Sequence, residues 1–201
     1  IDPNPWAKDG ATALAEWTPS KDGKHLAYAV QDGGTDWRTI KVMNVATGID
    51  LADSLEGVKY TGEVAWRPDG SGFYYSRFPA PPAGQKYQSA TLNEAIWFHK
   101  LGTPQSADTK VFATPDRPKL GHHAQLSEDG RWMVVSSSES SGGNAVFIAD
   151  LSKGETPRAF VSALDKEWGF AGSQGGTLYF VTNKDAPRYQ LLAVDGASGS
   201  G

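Results

Sequence analysis

Residues 65–75, AWRPDGSGFYY, limit the fold of this chain more than any other stretch. Two short segments rich in aromatic residues flank an Asp-Gly pair, which is among the strongest short-range indicators of a β-hairpin. A type I′ turn needs a positive φ at both central residues, and glycine adopts that conformation at little cost. Aromatic flanks suit the pleated surface of a packed sheet. The stretch therefore predicts two antiparallel strands joined by a tight type I′ turn.

Three further copies of this unit occur along the chain. They cover residues 17–28, 126–135 and 169–180, and the last has Gly-Gly in place of Asp-Gly. The turn glycines lie at positions 23, 70, 130 and 176, so successive copies are 47, 60 and 46 residues apart. A repeat of about 40–50 residues built from strands alone is typical of β-propeller blades. We therefore predict an all-β fold, a partial β-propeller of about four blades of four-stranded antiparallel sheet.

Blade boundaries follow from the turn and strand signals. We place them at approximately residues 11–57, 58–116, 117–163 and 164–195, and the last blade is incomplete because it lacks a fourth strand. Within the first blade we expect a short outer strand near residues 49–51. In the second we expect an inner strand over residues 63–67 and a proline-rich loop over residues 79–93, since proline cannot pair within a central strand. Residues 136–143, SSSESSGG, are expected to form a flexible polar loop.

The last six residues, GASGSG, have the composition of a linker. They follow a predicted strand abruptly, so we interpret residues 196–201 as a linker or an engineered tail. An open half-ring of blades would expose large apolar faces, which favours self-association or a requirement for the rest of a parent protein.

Composition narrows the classes of function. The chain has 201 residues, 39% of them hydrophobic, which is enough to bury a core. Its net charge is −4 without a Lys/Arg run, which argues against nucleic acid as a partner. No apolar run approaches the roughly 18 residues of a membrane helix. The absence of cysteine excludes disulfides and thiolate chemistry. We expect a soluble protein, and both cytoplasm and periplasm remain open because a mature exported chain would look the same.

Four stretches carry a resemblance to a known family. They are residues 1–4 (IDPN), 34–40 (GTDWRTI), 55–60 (LEGVKY) and 99–108 (HKLGTPQSAD). The last resembles the His-x-Leu-Gly-Thr-x-Gln-Ser-x-Asp stretch of the prolyl oligopeptidase (prolyl endopeptidase) family and is the most specific of the four. The resemblance covers nearly all of residues 1–195, and its character is bacterial rather than vertebrate.

The resemblance implies a function for the parent enzyme. Members of this family are two-domain serine peptidases that cleave short peptides after proline. An α/β-hydrolase domain carries the Ser/Asp/His triad, and a seven-bladed propeller covers it and filters substrates by size. This chain resembles the first half of that propeller. Its implied partners are therefore the hydrolase domain and short proline-containing peptides.

Catalytic residues are not expected within the chain. A serine hydrolase of this type needs a Gly-x-Ser-x-Gly elbow followed by Asp and His. The nearest approach, residues 196–200 (GASGS), lacks the final glycine and has no histidine after it. We therefore predict that Ser198 is not a nucleophile and that the chain is inactive alone.

Histidine and aspartate residues have structural interpretations. His122 and His123 are adjacent, so on a strand they point to opposite faces and do not readily share one metal ion. We interpret His25 and His99 as packing residues of strands. Asp22, Asp69 and Asp129 are expected to make turns, not to bind calcium. No metal or cofactor is predicted. The recurring tryptophans are expected in the core, and they are Trp17, Trp66 and Trp168.

Substrate-binding residues come only from the resemblance. Tyr60 matches a position where the family places an aromatic residue of the propeller against the substrate pocket. An aromatic wall favours proline and other apolar side chains. Gly121 and Ser141 match further apolar pocket positions, from which this sequence departs in residue type. Blade packing is the alternative for Tyr60.

Two functions from different classes remain. The first is a substrate-gating propeller fragment of a proline-specific serine endopeptidase. The alternative is a non-enzymatic binding or scaffold propeller, including an engineered fragment that self-assembles. A concentration-dependent dimer that completes a ring would distinguish the second from a truncated piece of the first.

Overall fold

The fold is built almost entirely of antiparallel strands. The computed structural model describes residues 1–7, 10–31, 33, 35–60, 63–80 and 91–198. Within these residues the helical elements are two short 3-10 turns, Gln105–Ala107 and Leu151–Lys153. No helix of this described part has the length and apolar character needed to cross a membrane.

Four successive sheets account for the strands, and each is a simple meander in chain order. The first contains β1 (Ala13–Pro19), β2 (His25–Gln31), β3 (Trp37–Asn44) and β4 (Ile49–Lys59). The second contains β5 (Ala65–Trp66), β6 (Gly72–Arg77), β7 (Ala95–Lys100) and β8 (Thr109–Ala113). The third contains β9 (Gly121–Leu126), β10 (Trp132–Ser138), β11 (Ala145–Asp150) and β12 (Arg158–Val161). The fourth contains β13 (Trp168–Gln174), β14 (Thr177–Thr182) and β15 (Gln190–Asp195). Repeated four-stranded meanders are the blades of a β-propeller, so the predicted fold class is confirmed.

The chain divides into two compact units, each with its own core. The first unit, Ile1–Pro118, contains the first two sheets. Their facing sides bury apolar residues that include Ile40, Val42 and Leu55 from the first sheet and Phe73 and Tyr75 from the second. Burial of these large side chains removes apolar surface from water and holds the two sheets together.

The second unit, Lys119–Gly201, contains the third and fourth sheets. Its core joins Trp132, Val134 and Ile148 of the third sheet to Leu178 and Phe180 of the fourth. The fourth sheet has three strands within the described residues. The amide of Gly196, just after β15, donates to the carbonyl of Gly176 at 2.9 Å. A Cβ at Gly196 would lie 2.6 Å from the Trp132 ring, so glycine is needed there.

The turn type predicted for the Asp-Gly hairpins is wrong. In all three copies the glycine alone has a positive φ, between 68° and 70°, and these glycines are Gly23, Gly70 and Gly130. Each glycine amide donates to the carbonyl three residues earlier. The strands are therefore joined by a four-residue loop around a type I turn that ends in a left-handed glycine. The Gly-Gly copy is different, because Gly175 at φ 59° opens a two-residue turn between Gln174 and Thr177.

Local hydrogen bonds explain why the aspartates avoid a positive φ. The carboxylate of Asp22 accepts from the Ser20 hydroxyl at 2.7 Å and from the Lys24 amide at 3.1 Å. These bonds, with the Ser20 hydroxyl first, lower the pKa of Asp22 to about 2. Asp69 and Asp129 also accept from a neighbouring serine hydroxyl and a backbone amide. Their predicted turn-making role is confirmed.

The outer strand of the first sheet is much longer than predicted. It runs over Ile49–Lys59, whereas the sequence indicated only residues 49–51. Two features hide the strand: buried Asp53 interrupts the apolar alternation, and Gly57 has a positive φ of 80°. The Gly57 carbonyl nevertheless accepts from the Phe78 amide at 2.9 Å, which ties β4 to the end of β6. The inner strand β5, in contrast, is only two residues long.

Trp66 and Trp168 are buried as expected, but Trp17 is 61% exposed, on the inner strand β1. The prediction for Trp17 is therefore wrong: Trp17 pairs with Tyr28 and shares its face of the sheet, whereas Ala27 and Ala29 on the other face belong to the core of the first unit. In the proline-rich loop of the second blade, residues 81–90 lie outside the described part of the chain, as do residues 199–201 of the linker-like tail.

Candidate substrate-facing site and a buried histidine cluster

Tyr60 is held in an unusual backbone conformation. It follows β4 directly, its φ is 68°, and its side chain leaves it 56% exposed. A bulky residue in the left-handed region is a conformational outlier that the surrounding structure must hold in place. Here the Tyr60 amide donates to the Asp36 carbonyl at 3.4 Å, and the Arg38 guanidinium donates to the Tyr60 carbonyl. An aromatic ring is thereby presented at the end of the sheet.

A positive charge lies beside this ring. The Lys59 ammonium is 4.9 Å from the centre of the Tyr60 ring and 5.2 Å from that of Trp37. Arg38 in turn pairs with Glu16 at 2.6 Å across the first sheet. Cations over aromatic faces are attracted by the ring quadrupole. The surface around Tyr60 thus combines an exposed aromatic ring with a cation, both anchored to β3 and β4.

Gly121 and Ser141 both lie at one end of the third sheet. Gly121 opens β9 and pairs with Ser138, the last residue of β10. Ser141 is exposed and lies three residues further on, in the loop between β10 and β11. Tyr60 lies at the corresponding end of the first sheet, where odd strands begin and even strands end. The structure therefore places each of these three residues at the equivalent end of its own sheet.

The loop that carries Ser141 contains a hydrogen-bonded residue, Asn144, that sequence analysis missed. The Asn144 side chain donates to the Trp168 carbonyl at 3.0 Å and accepts from the Trp168 amide at 2.8 Å. Its backbone amide donates to the Lys166 carbonyl at 3.0 Å. A Cβ at Gly143 would lie 2.4 Å from the Leu164 carbonyl oxygen. The Gly-Gly-Asn end of the serine-rich stretch was the available signal. The flexible loop predicted over residues 136–143 is therefore wrong at both ends, because residues 136–138 belong to β10 and Gly143 is packed against the β12–β13 connection.

An open groove lies at the same end of the second unit. It has a volume of about 600 Å³, and its apolar wall includes Phe160, Trp168 and Leu192. Two lysines also line the groove, Lys166 and Lys184. Trp168 is 8% exposed, and its indole N–H has no hydrogen-bond partner among the described residues.

His122 and His123 occupy different environments. His122 is buried on β9, and its Nδ1 lies 2.7 Å from the Ser137 hydroxyl on β10, whereas His123 pairs with Ser136 and is half-buried. Burial lowers the pKa of His122 to about 4, because the charged form loses its hydration. Ser137 is as deeply buried as His122, so a substrate cannot reach this Ser–His pair. Among the described residues no group of three or more His, Asp or Glu side chains is arranged to hold a metal ion.

Ser198 takes part in a local turn at the end of the described chain. Its hydroxyl donates to the Asp195 carboxylate at 2.9 Å. The Asp195 carboxylate also accepts from the Ala197 amide at 3.0 Å. The Asp195 carboxylate orients the Ser198 hydroxyl but is too weak a base to activate it. A serine nucleophile is usually activated by a histidine.

His99 lies at the centre of a polar cluster between the first two sheets. Its Nδ1 is 2.7 Å from Asp108 Oδ1, and its Nε2 is 2.9 Å from Asp53 Oδ1. All three side chains are fully buried or nearly so. The Gly102 amide also donates to Asp53 Oδ1, at 2.7 Å. His99 is thus more than the packing residue that sequence analysis assigned, because it joins β4 to β7.

The rest of the 99–108 stretch completes this cluster. The Tyr75 hydroxyl donates to Asp108 Oδ2 at 2.6 Å and accepts from the side-chain amide of Gln105 at 3.1 Å. Burial, followed by the bond to Asp108, raises the pKa of Tyr75. Gln105 also exchanges hydrogen bonds with the backbone amide and carbonyl of Glu56 on β4, at 3.1 and 2.9 Å. The stretch that carries the strongest family resemblance therefore ties the first two sheets together.

Comparison with known proteins agrees with this architecture. The family model of the prolyl oligopeptidase N-terminal β-propeller domain matches residues 1–200. The prolyl endopeptidase of Elizabethkingia meningoseptica is 33% identical over 192 residues, which cover 96% of this chain and 27% of that protein. Prolyl oligopeptidase A of Amanita bisporigera is 30% identical and matches 97% of this chain and 28% of its own length. This chain therefore spans little more than a quarter of these relatives.

Solved structures show the same similarity. A structure from a mechanistic study of two prolyl endopeptidases superposes with a TM-score of 0.84 at 45% identity, over 97% of this chain and 27% of the other. Prolyl oligopeptidase B from Galerina marginata, bound to a 35-residue hydrolysis and macrocyclization substrate, superposes with a TM-score of 0.87 at 28% identity. That match covers 98% of this chain and 29% of the other. The chain belongs to the N-terminal β-propeller domain family of the prolyl oligopeptidases.

Proposed function

We propose that this chain is the substrate-gating part of a proline-specific serine endopeptidase that cleaves short peptides after proline. The observation that carries the proposal is Tyr60, an exposed aromatic residue that Arg38 and Asp36 hold in a left-handed conformation. Residues in such conformations concentrate at ligand sites, where the surrounding structure stabilises them. An exposed aromatic face supplies the apolar contact that a proline ring or a neighbouring apolar side chain of the substrate needs.

Within this proposal Gly121 and Ser141 contribute the surface of the third sheet, and an α/β-hydrolase domain contributes the catalytic groups. Gly121 has no side chain and Ser141 a small polar one, so neither adds an apolar wall. Tyr60 then provides the main apolar contact from this chain. Lys59, beside the ring, favours peptides with a carboxylate or a polarised carbonyl near the bound residue.

Binding of a short peptide tests the role of Tyr60. A peptide such as Gly-Pro with blocked ends is titrated into the chain, and the intrinsic tryptophan fluorescence is followed. Trp37 reports on the site, because the Lys59 ammonium lies over both its ring and that of Tyr60. We expect weak, saturable binding that Tyr60→Ala abolishes and Tyr60→Phe retains. Tyr189→Ala is the matched control, because Tyr189 is also an exposed tyrosine with a positive φ, of 66°. Equal loss in both alanine variants would contradict the assignment.

Activity of the isolated chain is a separate test. Without a positioned nucleophile, base and oxyanion hole, the rate acceleration of a serine peptidase is lost. We therefore expect no hydrolysis of a Gly-Pro chromogenic peptide by the 201-residue chain. Turnover that an active-site serine reagent abolishes would contradict this expectation.

A second candidate function is a scaffold that self-associates, and one observation favours it. The outer face of the fourth sheet carries the cross-strand pair Val181 and Leu191, and Leu191 is 61% exposed. Tyr179 and Ala193 pair two positions further along the same strands and therefore lie on the same face. Exposed apolar patches of this kind mark interaction surfaces.

Sedimentation over a range of concentrations tests self-association. If the outer face of the fourth sheet forms the contact, the chain dimerises as its concentration rises and Leu191→Lys keeps it monomeric. Ser140→Lys, at an exposed position of the β10–β11 loop, is the control and leaves the dimer intact. A chain that stays monomeric at every concentration would exclude the scaffold function.

A further inference from the structure

The His99 cluster contains more acceptors than a neutral histidine can satisfy. Each ring nitrogen of His99 faces a carboxylate oxygen, at 2.7 Å for Nδ1 and 2.9 Å for Nε2. An ionised carboxylate only accepts hydrogen bonds, and a neutral imidazole has only one N–H donor. Both contacts become hydrogen bonds when both ring nitrogens carry a proton.

We propose that Asp53, His99 and Asp108 form a proton-dependent clasp, in which an imidazolium donates one hydrogen bond to each of two buried carboxylates and ties β4 to the second sheet. The clasp joins the two sheets of the first unit, because Asp53 lies on β4 of the first sheet while His99 lies on β7 of the second. This inference is independent of the substrate-gating function.

The charges around His99 support a positive imidazole. Asp53 faces it from β4, and Asp108 from the segment after the 3-10 turn Gln105–Ala107. From β6 the Tyr75 hydroxyl donates to Asp108, and the Arg77 guanidinium lies 3.9 Å from Asp108 Oδ2. With His99 charged, two carboxylates meet two cations. With His99 neutral, the ion pairs of the described residues leave these two buried carboxylates with the Arg77 guanidinium beside Asp108 as their cation, an arrangement that burial strongly disfavours.

Asp53 depends on His99 most directly. Its Oδ1 accepts from His99 and from the Gly102 amide, at 2.9 and 2.7 Å. Its Oδ2 is buried and has no hydrogen-bond partner among the described residues. A buried carboxylate with an unpartnered oxygen needs a neighbouring positive charge for compensation. Among the side chains that contact Asp53, the imidazolium supplies that charge.

The proton step has a defined direction. As the pH rises, His99 gives one N–H proton to solvent hydroxide, and that nitrogen then turns a lone pair toward a carboxylate oxygen. One hydrogen bond becomes a repulsive contact, and the two carboxylates lose the charge between them. The contribution of the clasp to stability is therefore present while His99 keeps both protons and is lost when the pH rises far enough to remove one.

Nitrogen NMR of the 201-residue chain tests the charge state directly. The ¹⁵N shifts of the histidine rings separate protonated from unprotonated nitrogens, and they are followed from about pH 6 to about pH 8, the range in which histidine normally changes charge. We expect both nitrogens of His99 to carry a proton at about pH 7, as the two carboxylate contacts require. His122, whose pKa is lowered by burial to about 4, is the internal reference and shows one unprotonated nitrogen throughout.

An unprotonated His99 nitrogen at about pH 7 would overturn the clasp, since it would place the second proton on a carboxylate or nowhere. Asp108→Asn provides a second measurement. Removing one carboxylate should lower the pH at which His99 loses its proton, because one of the two negative charges that favour the imidazolium is gone. Asp129→Asn, at an exposed turn, is the control and should leave it unchanged. An unchanged titration of His99 in Asp108→Asn would also overturn the proposal.

Discussion

Two buried histidines, one in each unit of the chain, show how neighbouring groups determine the effect of burial on the charge of an imidazole ring. His99 and His122 both lie on strands, both are almost fully buried, and each has Nδ1 2.7 Å from an oxygen. The oxygen belongs to the Asp108 carboxylate in the first unit and to the Ser137 hydroxyl in the second. Burial lowers the pKa of His122 to about 4 and keeps the ring neutral at neutral pH. In the proposed clasp, the two carboxylates beside His99 favour the charged ring instead.

The two histidines also connect different parts of the fold: His122 bonds within one sheet, and His99 bonds between two sheets. His122 and Ser137 are directly paired residues of neighbouring strands, so their bond lies within one sheet. His99 and Asp53 belong to different sheets and are 46 residues apart in sequence. A bond within a sheet duplicates contacts that the strand ladder already makes. A bond between sheets adds a contact that the ladders do not supply, so its loss should have the larger effect.

Removal of the His99 ring should have the largest effect. Glutamine at this position cannot supply a positive charge to Asp53 and Asp108, and breaking a buried ion pair typically costs about 3–5 kcal/mol. We expect His99→Gln to lower the free energy of unfolding in urea by that amount. His122→Gln is the matched control, with a clearly smaller loss at neutral pH. Equal losses in the two variants would remove the distinction between the two histidines.

Acid should destabilise the second unit through His122. Its pKa is about 4 in the folded chain and 6.5 as the reference value, so the unfolded state binds more protons between these limits. Stability is therefore full above about pH 6.5 and falls as the pH drops toward 4, by a total of about 3 kcal/mol. Urea unfolding at both ends of this range measures the loss. In His122→Gln this part of the pH dependence should disappear, and its persistence would assign it to other groups.

A smaller loss is expected for Tyr75→Phe, which deletes the hydroxyl that donates to Asp108 at 2.6 Å. A hydrogen bond to a charged group contributes about 1.5–3 kcal/mol, and the phenylalanine ring retains the packing of the tyrosine. The midpoint of urea unfolding should fall accordingly with an unchanged slope. A variant as stable as the parent chain would show that Asp108 is already compensated by His99 and Arg77.

The smallest effect is expected for Ser137→Ala, the equivalent deletion beside His122. The lost bond joins two neutral groups, so the free energy of unfolding at neutral pH should fall by about 1 kcal/mol. The clearest comparison between the two clusters is the ratio of the losses in free energy of unfolding caused by Tyr75→Phe and by Ser137→Ala. If Ser137→Ala destabilises the chain more than Tyr75→Phe does, the charged cluster is not the stronger of the two.

Much of the fold could be predicted because hairpins are local. Asp-Gly and Gly-Gly turns, flanked by β-prone residues, located β6, β10 and β14 together with their neighbours. The exceptions are equally informative. Asp53 and Gly57 concealed most of β4, because an isolated acidic residue and a glycine look like the end of a strand. The turn type was also missed, because serine and backbone bonds to Asp22 compete with the type I′ geometry.

The candidate site was less accessible to sequence analysis. Tyr60, Gly121 and Ser141 came from the family resemblance, and nothing in the pattern around Tyr60 indicated its left-handed backbone. Residues 99–108 were noticed as the most specific stretch, but their role was not. Each acceptor or donor in the His99 cluster is an ordinary residue in its own segment. Only the packing of β4 on β7 turns Asp53, His99 and Asp108 into a single group.

The sequence by itself determined the all-β class, the repeat of hairpins and the family, because turn chemistry and strand alternation act over a few neighbouring residues. The tertiary structure alone decided the charge environment of the two histidines, the exposure of Trp17 and the strained presentation of Tyr60. These properties depend on which groups from distant segments share a buried space. Electrostatic energies there change with a few ångströms and with the loss of water, neither of which is written in any local pattern.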